Sequence, residues 1–203
     1  ERSVEHVEVF LHGLPVVHAR VVRRAGGACH TASSKVLRKI QKEYLPKNYP
    51  ARRVLGMVAP VVEEAVKLSR YHRLGVIGTT ATINSGVYKK VLDILRYVFE
   101  IFQQACPLLA PLIEEGWIGK PETRMILKKY LRPLKVKKID TLILGCTHYP
   151  LLLKDISKIM GKNVKVVNPA EVTADKLVLY LRKHQDLEKK LGQNRKLAFY
   201  TTD

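Results

Sequence analysis

The sequence of 203 residues has little cysteine, with three residues at Cys29, Cys106 and Cys146. An odd number cannot all pair internally, and none forms a C-x-x-C motif, so we expect free thiols in a reducing compartment. Their spacing to nearby histidines matches no usual zinc site. No apolar stretch reaches the roughly 18 residues of a membrane span, and the start lacks a signal-peptide core. These absences favour a cytoplasmic protein without a membrane span.

Acidic residues are also scarce, with 18 Asp and Glu against 36 Lys and Arg and a formal net charge of +18. Such an excess is typical either of a nucleic-acid partner or of solvated, lysine-rich helix surfaces. The basic residues are scattered and few aromatic residues lie among them, which favours the second interpretation. A non-catalytic basic protein that binds nucleic acid or a nucleic-acid enzyme stays as an alternative.

Apolar runs of strand length alternate with longer segments of helical spacing, which predicts an α/β fold with a parallel sheet. The predicted strands are VLGMVAP, LGVIGTT, IDTLILG and VKVVN. The predicted helices cover residues 61–68, 81–101, 122–131, 150–159 and 174–190. Residues 20–27 should form the strand that leads to Cys29, although its arginines and glycines fit a buried strand poorly.

Two of the cysteines share a context that indicates chemistry. Cys146 ends the run DTLILG and precedes Thr147 and His148, while Cys29 follows a Gly-Gly-Ala run and precedes His30 and Thr31. A thiolate at a helix N-terminus is favoured by the backbone N–H groups and the helix dipole. Thiols at the ends of two strands can face each other across a cleft, where one removes a proton from a carbon and the other returns it. This is the chemistry of a cofactor-independent racemase, whereas the alternative for each cysteine is a small buried apolar side chain.

Other polar residues complete the candidate site. His148 either assists the deprotonation of Cys146 or caps a helix. Thr147, and likewise Thr31, can bind a charged end of a substrate. Thr79 and Thr82, in GTTAT, form either an anion site at a helix start or a simple N-cap. Cys106 lies among apolar residues and is assigned a structural role, and no P-loop or dinucleotide motif is present.

The stretches AGGACHTASS, GVIGTTATINSGVYKK and DTLILGCTHYPLL resemble those of glutamate racemases, in the aspartate/glutamate racemase superfamily. The resemblance implies two flavodoxin-like parallel-sheet halves with the active site in the cleft between them. The first half would hold residues 1–70 plus 168–203 and would be incomplete, and the second half would hold residues 71–167. The family's Asp-Ser-Gly and Pro-Tyr-Gly segments and its last helix have no counterpart here.

The resemblance also implies an activity, the interconversion of L- and D-glutamate without a cofactor, which supplies D-glutamate for peptidoglycan. Cys29, Cys146 and His148 would be catalytic, and His30 stands where the family has a substrate-contacting asparagine. Glu114 and Glu115 fall near the cleft but fit a solvated helix end equally well, so they are left out of the site. We expect weak or no activity from this chain alone. Aspartate as the substrate, a homodimer and a gyrase contact stay as alternatives.

Overall fold

The computed structural model describes residues 24–27, 30, 34, 37–50, 53–185 and 189. Within them, parallel strands alternate with helices. The strands are β1 (Arg24–Gly27), β2 (Arg53–Gly56), β3 (Arg73–Gly78), β4 (Glu100–Ala105), β5 (Thr141–Gly145) and β6 (Lys165–Val167). The helices are α1 (Leu37–Lys39), α2 (Leu45–Asn48), α3 (Val58–Leu68), α4 (Thr80–Asn84), α5 (Val87–Ile94), α6 (Leu109–Glu114), α7 (Pro121–Val136), α8 (Leu153–Met160) and α9 (Pro169–Lys183). A π-helical segment (Ile40–Tyr44) joins α1 to α2, and a 3-10 turn (Tyr149–Leu152) precedes α8.

The strands form two sheets. β1 pairs in parallel with β2, and the larger sheet has the order β4-β3-β5-β6 with every pair parallel. The α/β fold class predicted from the alternation of segments is therefore confirmed. The division of the chain into two halves at residues 70 and 168 stays a prediction.

The larger sheet is buried on both faces, which explains why its central strands are continuously apolar. Leu142 and Leu144 of β5 contact one core, together with α6, α7 and α8, while Ile143 between them contacts the other, with α3 and α5. This alternation is the period of two expected of a strand. The five residues of β5 are all buried.

One long helix was predicted over residues 81–101, and the structure shows that this prediction is wrong. The chain breaks after α4 at Gly86, which has a φ of +62°, and α5 ends at Ile94. Residues Glu100–Ala105 instead form β4, an edge strand that pairs with β3 along its whole length. The apolar residues of this segment fit both periods, and the pairing with β3 decides between them.

Other boundaries also differ from the prediction. The strand predicted over VLGMVAP ends at Gly56, and helix α3 begins at Val58 rather than residue 61. Helix α7 continues past Pro133 to Val136, where the prediction ended it at residue 131, because Leu134 is buried in the core and holds the last turn. Helix α9 begins at Pro169 rather than residue 174, because the Asn168 side chain accepts a hydrogen bond from the Ala170 N–H and caps it. No described helix combines the length and the apolar character needed to cross a bilayer.

Candidate active site

The carboxyl ends of three neighbouring strands bring polar residues to one edge of the sheet. Thr79 follows β3, Cys106 follows β4 and Cys146 follows β5. Gly78 and Gly145 pair at the ends of β3 and β5, and the Cys106 N–H donates to the Gly78 carbonyl at 2.9 Å. In open parallel sheets, this edge is where ligands bind.

Gly145 lets the strand that carries Cys146 approach its neighbours closely. A β-carbon at this position would lie 2.7 Å from the Ile77 carbonyl oxygen and 3.0 Å from the Tyr88 hydroxyl. The approach to the Ile77 carbonyl oxygen is too short for a β-carbon because the backbone of β3 cannot easily move, so glycine is required immediately before the thiol.

Cys146 belongs to a chain of three side chains. Its Sγ lies 3.6 Å from Nδ1 of His148, and Nε2 of His148 lies 3.1 Å from a carboxylate oxygen of Glu114. The Cys146 residue is 7% exposed, whereas the Glu114 side chain is 52% exposed. A carboxylate beside an imidazole favours its protonated form, and an imidazolium beside a thiol favours the thiolate. The arrangement can therefore hold and move a proton at the sulfur.

Thr79 and Thr82 form the N-terminal cap of α4. The Thr79 hydroxyl accepts a hydrogen bond from the Thr82 N–H at 3.2 Å and donates to the Thr82 hydroxyl at 3.0 Å. The capping interpretation is thus observed. The anion-binding interpretation stays a prediction, and the position of Thr79 at the end of β3, beside the end of β5, is compatible with it.

Two buried polar side chains, His30 and Tyr88, lie next to the end of β5. The ring of His30 stacks on the ring of Tyr88 with their centroids 6.4 Å apart. Both ring nitrogens of His30 and the hydroxyl of Tyr88 are buried without a hydrogen-bond partner in the described part of the chain. Burial lowers the pKa of His30 from 6.5 to about 4, so its ring is neutral near pH 7. Burial also raises the pKa of Tyr88, and the charge of the nearby Cys146 raises it further.

Cys106 is packed rather than reactive. It is 1% exposed, and burial together with the charge of Cys146 raises its pKa to about 12, partly offset by a backbone hydrogen bond from Gly78. The Tyr149 hydroxyl donates to the Cys106 carbonyl oxygen at 2.9 Å and so joins the turn after Cys146 to the end of β4. These observations fit the structural role predicted for Cys106.

The structure brings together some of the predicted site residues. Cys146 and His148 are in contact, Thr147 lies half-buried between them, and His30 is buried against Tyr88. Cys29 and Thr31 lie outside the described residues. The roles assigned to all these residues stay predictions.

Sequence reasoning considered Glu114 but left it out of the site, and it missed Tyr88. Glu114 ends α6 and reaches His148 only because α6 packs beside the turn after β5. Tyr88 lies on the inward face of α5, where its aromatic side chain reads as an ordinary core residue. No local pattern marks Tyr88, and only the family resemblance placed Glu114 near the cleft.

Comparison with known proteins identifies the family. The model of the Asp/Glu/Hydantoin racemase family matches residues 28–177. The chain belongs to this family. The resemblance found in the sequence motifs is thereby confirmed.

Individual members of the racemase family extend the comparison. The chain is 47% identical to the glutamate racemase of Aquifex pyrophilus over 144 residues, which cover 71% of this chain and 53% of that protein. The structure of glutamate racemase isoform RacE1 from Bacillus anthracis superposes with a TM-score of 0.74 at 35% identity, covering 80% of this chain and 59% of that one.

A third relative was solved with a ligand. The glutamate racemase of Francisella tularensis in complex with D-glutamate has a TM-score of 0.68 and 30% identity, covering 81% of this chain and 59% of that one. The chain spans about half the length of the curated relatives it matches.

Proposed function

We propose that this racemase-family chain acts on glutamate and interconverts its L and D enantiomers. The observation that carries the proposal is the contact chain from Cys146 through His148 to Glu114 at the carboxyl edge of the sheet. The relatives named above support glutamate as the substrate, since all three are glutamate racemases. They do not favour aspartate or a non-catalytic basic protein.

Cys146 would exchange a proton with the α-carbon of the substrate. Its thiolate takes the α-proton as the carbon–hydrogen bond breaks, and the electron pair stays on the substrate as a carbanion. A thiol on the opposite face, which we assign to Cys29, then donates a proton to the carbon. The roles reverse for the other enantiomer, so protons and electrons balance without a cofactor.

His148 and Glu114 would set the protonation of Cys146. The imidazole accepts the thiol proton through Nδ1, and the Glu114 carboxylate stabilises the resulting positive charge at Nε2. Cys146 is buried, so its thiolate and the imidazolium attract each other more strongly than they would in water.

The substrate's polar groups would be bound by the remaining predicted residues. Thr79, Thr82 and Thr147 can offer hydroxyl and N–H groups to carboxylates, with Thr31 assigned on the opposite side. The unpartnered nitrogens of His30 and the hydroxyl of Tyr88 are suited to the amino group or a carboxylate. The proposal includes a cytoplasmic location and the supply of D-glutamate for peptidoglycan.

Exchange of the α-hydrogen with deuterated water tests the proposal directly. Proton NMR would follow the exchange. We expect the chain to exchange the α-hydrogen of L- and D-glutamate slowly, in keeping with the weak activity expected from the sequence, and to exchange aspartate far more slowly still. Exchange at one face needs one competent thiol, so it detects the reaction even where net turnover by circular dichroism is slow.

The Cys146→Ser substitution should lower the exchange rate of one enantiomer by at least about 100-fold, because a serine hydroxyl is a poor base at neutral pH. Cys106→Ser is the matched control at the same edge, and it should keep exchange of both enantiomers. Exchange that survives Cys146→Ser unchanged, or exchange of neither glutamate enantiomer by the unaltered chain, would contradict the proposal.

A further inference from the structure

A groove of about 640 Å³ lies between α7 and α8, apart from the Cys146 site, with which it shares no residue. Its volume falls within the range of small-molecule sites, roughly 300–1,000 Å³. Its charged lining residues are Arg124, Lys128, Arg132 and Lys135 of α7 with Asp155 and Lys158 of α8.

The spacing of the α7 residues explains why they share the groove. Arg124, Lys128 and Arg132 follow one another at intervals of four residues and therefore lie on one face of the helix. The apolar residues Leu127 and Leu131 lie on another face and are fully buried in the core. Since the core fixes how α7 is rotated, the basic residues have to point together toward α8.

Two of the basic residues neutralise the negative groups of the groove. Arg124 donates to the Asp155 carboxylate at 3.1 Å, and Lys135 donates to the Ile159 carbonyl oxygen at 2.8 Å. That carbonyl lies in the last turn of α8, where the helix dipole is negative and would repel an anion. These contacts offset the negative charge of Asp155 and of the carboxyl end of α8, so neither group would repel a bound anion strongly.

The other three cations, Lys128, Arg132 and Lys158, have no hydrogen bond or ion pair with any other described residue. All three are exposed. They come from two helices that face each other, so their charges repel one another across the groove. A ligand with several negative charges would offset this repulsion and contact all three.

We propose that this groove binds a small molecule that carries two or more linked phosphate groups. Arginine pairs with phosphate oxygens through two parallel N–H donors, and lysine adds a compact charge. A single carboxylate would satisfy one of the three cations, whereas a chain of phosphates reaches them all. Lys128 and Arg132 lie about 6 Å apart along α7 at 1.5 Å per residue, which suits a short phosphate chain.

The rest of the lining distinguishes a small phosphate from nucleic acid. The groove contains no aromatic side chain on which a base could stack, which is the usual means of binding single strands. Its uncharged lining is aliphatic, from Ile159 and from Val136, which is 71% exposed. These two side chains offer a contact surface to whatever organic group carries the phosphates.

Calorimetric titration with sodium tripolyphosphate tests the proposal, with orthophosphate, ATP and a single-stranded oligonucleotide as further probes. We expect tripolyphosphate to bind at least about tenfold more tightly than orthophosphate, because only the longer anion spans the groove. If ATP binds more tightly than tripolyphosphate, its nucleoside contacts the aliphatic lining at Val136. If ATP and tripolyphosphate bind equally tightly, the groove recognises the phosphates alone. Tighter binding of the oligonucleotide than of tripolyphosphate would overturn the proposal.

A charge-reduced groove variant should bind tripolyphosphate about tenfold more weakly or worse. It carries the three substitutions Lys128→Gln, Arg132→Gln and Lys158→Gln. The matched control Lys42→Gln, Lys89→Gln, Lys183→Gln removes the same charge from exposed positions on other elements and should weaken tripolyphosphate binding less than about twofold. Equal losses in both variants, or no binding by the unaltered chain, would show that the groove is not a site. If the triple variant unfolds, the single variant Arg132→Gln gives the same comparison against Lys89→Gln.

Discussion

His148 contacts a thiol with one ring nitrogen and a carboxylate with the other, and the proposed proton transfer depends on both contacts. Its Nδ1 faces Cys146 and its Nε2 faces Glu114. The Glu114 side chain is half exposed, so water weakens its effect on the imidazole without abolishing it. Under the proposed function, Glu114 would act as a positioning residue for His148 rather than as a catalytic residue.

Glu114→Gln should lower kcat for glutamate by about tenfold while KM changes little, because the loss falls on proton transfer rather than on substrate binding. The pH profile of kcat should also move to lower pH, since His148 loses the negative charge that favours its protonated form. Steady-state kinetics across a pH series would measure both effects.

Glu115→Gln is the control for this change, because Glu115 is the adjacent, exposed carboxylate at the end of the same helix. It should leave both kcat and the pH profile unchanged. Equal effects of the two substitutions would show that Glu114 acts only through the general charge of the surface.

At this scale the sequence indicated the reactive groups but not their partners. The Gly-Cys-Thr-His motif pointed to Cys146 and His148, which the structure places in contact. Glu114 and Tyr88 join them from distant helices, and only the packing of those helices on the sheet determines such contacts. In a single sequence, the spacing of apolar residues predicts which face of a helix packs on the sheet. It does not predict which polar atoms of two such helices come into contact.

Among the elements, a buried carboxylate just before β5, that of Asp140, ties the sheet to the turn that follows α3. Asp140 accepts hydrogen bonds from the Ser69 hydroxyl at 2.7 Å, the Arg70 N–H at 2.7 Å and the Tyr71 N–H at 2.6 Å. Burial alone would raise the pKa of Asp140, but these hydrogen bonds outweigh it and hold the pKa below 3.8. The turn between α3 and β3 is thereby fixed against β5.

Asp140→Asn should lower the free energy of unfolding at neutral pH by about 2 kcal/mol, because the amide can replace only part of the charged hydrogen bonding. The carboxylate is ionised more readily in the folded state, so its contribution is present above about pH 3.8 and is lost as the pH falls through the folded pKa. Urea denaturation at neutral pH and at about pH 3 should show the difference between the two proteins shrinking in acid.

Asp93→Asn is the matched control for that experiment, since Asp93 is exposed on α5. It should change the free energy of unfolding by less than about 0.5 kcal/mol at either pH. A deficit in Asp140→Asn that persists undiminished in acid would contradict the role given to the carboxylate.

The elements were predictable where their patterns were unambiguous. The buried run of β5 and the helices α3 and α7 were recognised from spacing alone. The segment from residue 81 to 105 was not, because Val98 and Ile101 fit a helix as well as a strand. Pairing with β3, a contact between distant parts of the chain, makes Glu100–Ala105 a strand.

For the molecule as a whole, the surface charge opposes compaction. A formal net charge of +18 on 203 residues leaves many cations on the surface with no carboxylate to offset them. Their mutual repulsion is relieved when the chain expands, and it is screened by salt. Electrostatics at this scale is therefore a cost to stability rather than a source of it.

Sodium chloride should consequently stabilise the chain. Raising the ionic strength from about 0.01 M to about 0.15 M shortens the screening length from about 30 Å to about 8 Å. We expect Tm to rise by about 3 °C, which corresponds to about 1 kcal/mol at this chain length. Thermal denaturation followed by circular dichroism would measure the change.

The charge-reduced groove variant provides the control for the salt experiment. With three cations replaced by glutamine it should show a smaller rise in Tm over the same range of salt. A Tm that falls with salt, or a rise that is unaffected by removing those charges, would contradict the account of surface repulsion.

The order β4-β3-β5-β6 has a consequence for synthesis on the ribosome. β3 lies between β4 and β5, and Leu74 pairs with Thr141, which is translated much later. Until β5 emerges, one side of β3 offers unpaired backbone groups along a strand that is apolar after Arg73. Such an edge attracts other nascent chains, so the interval before β5 is translated is the period of greatest risk of aggregation.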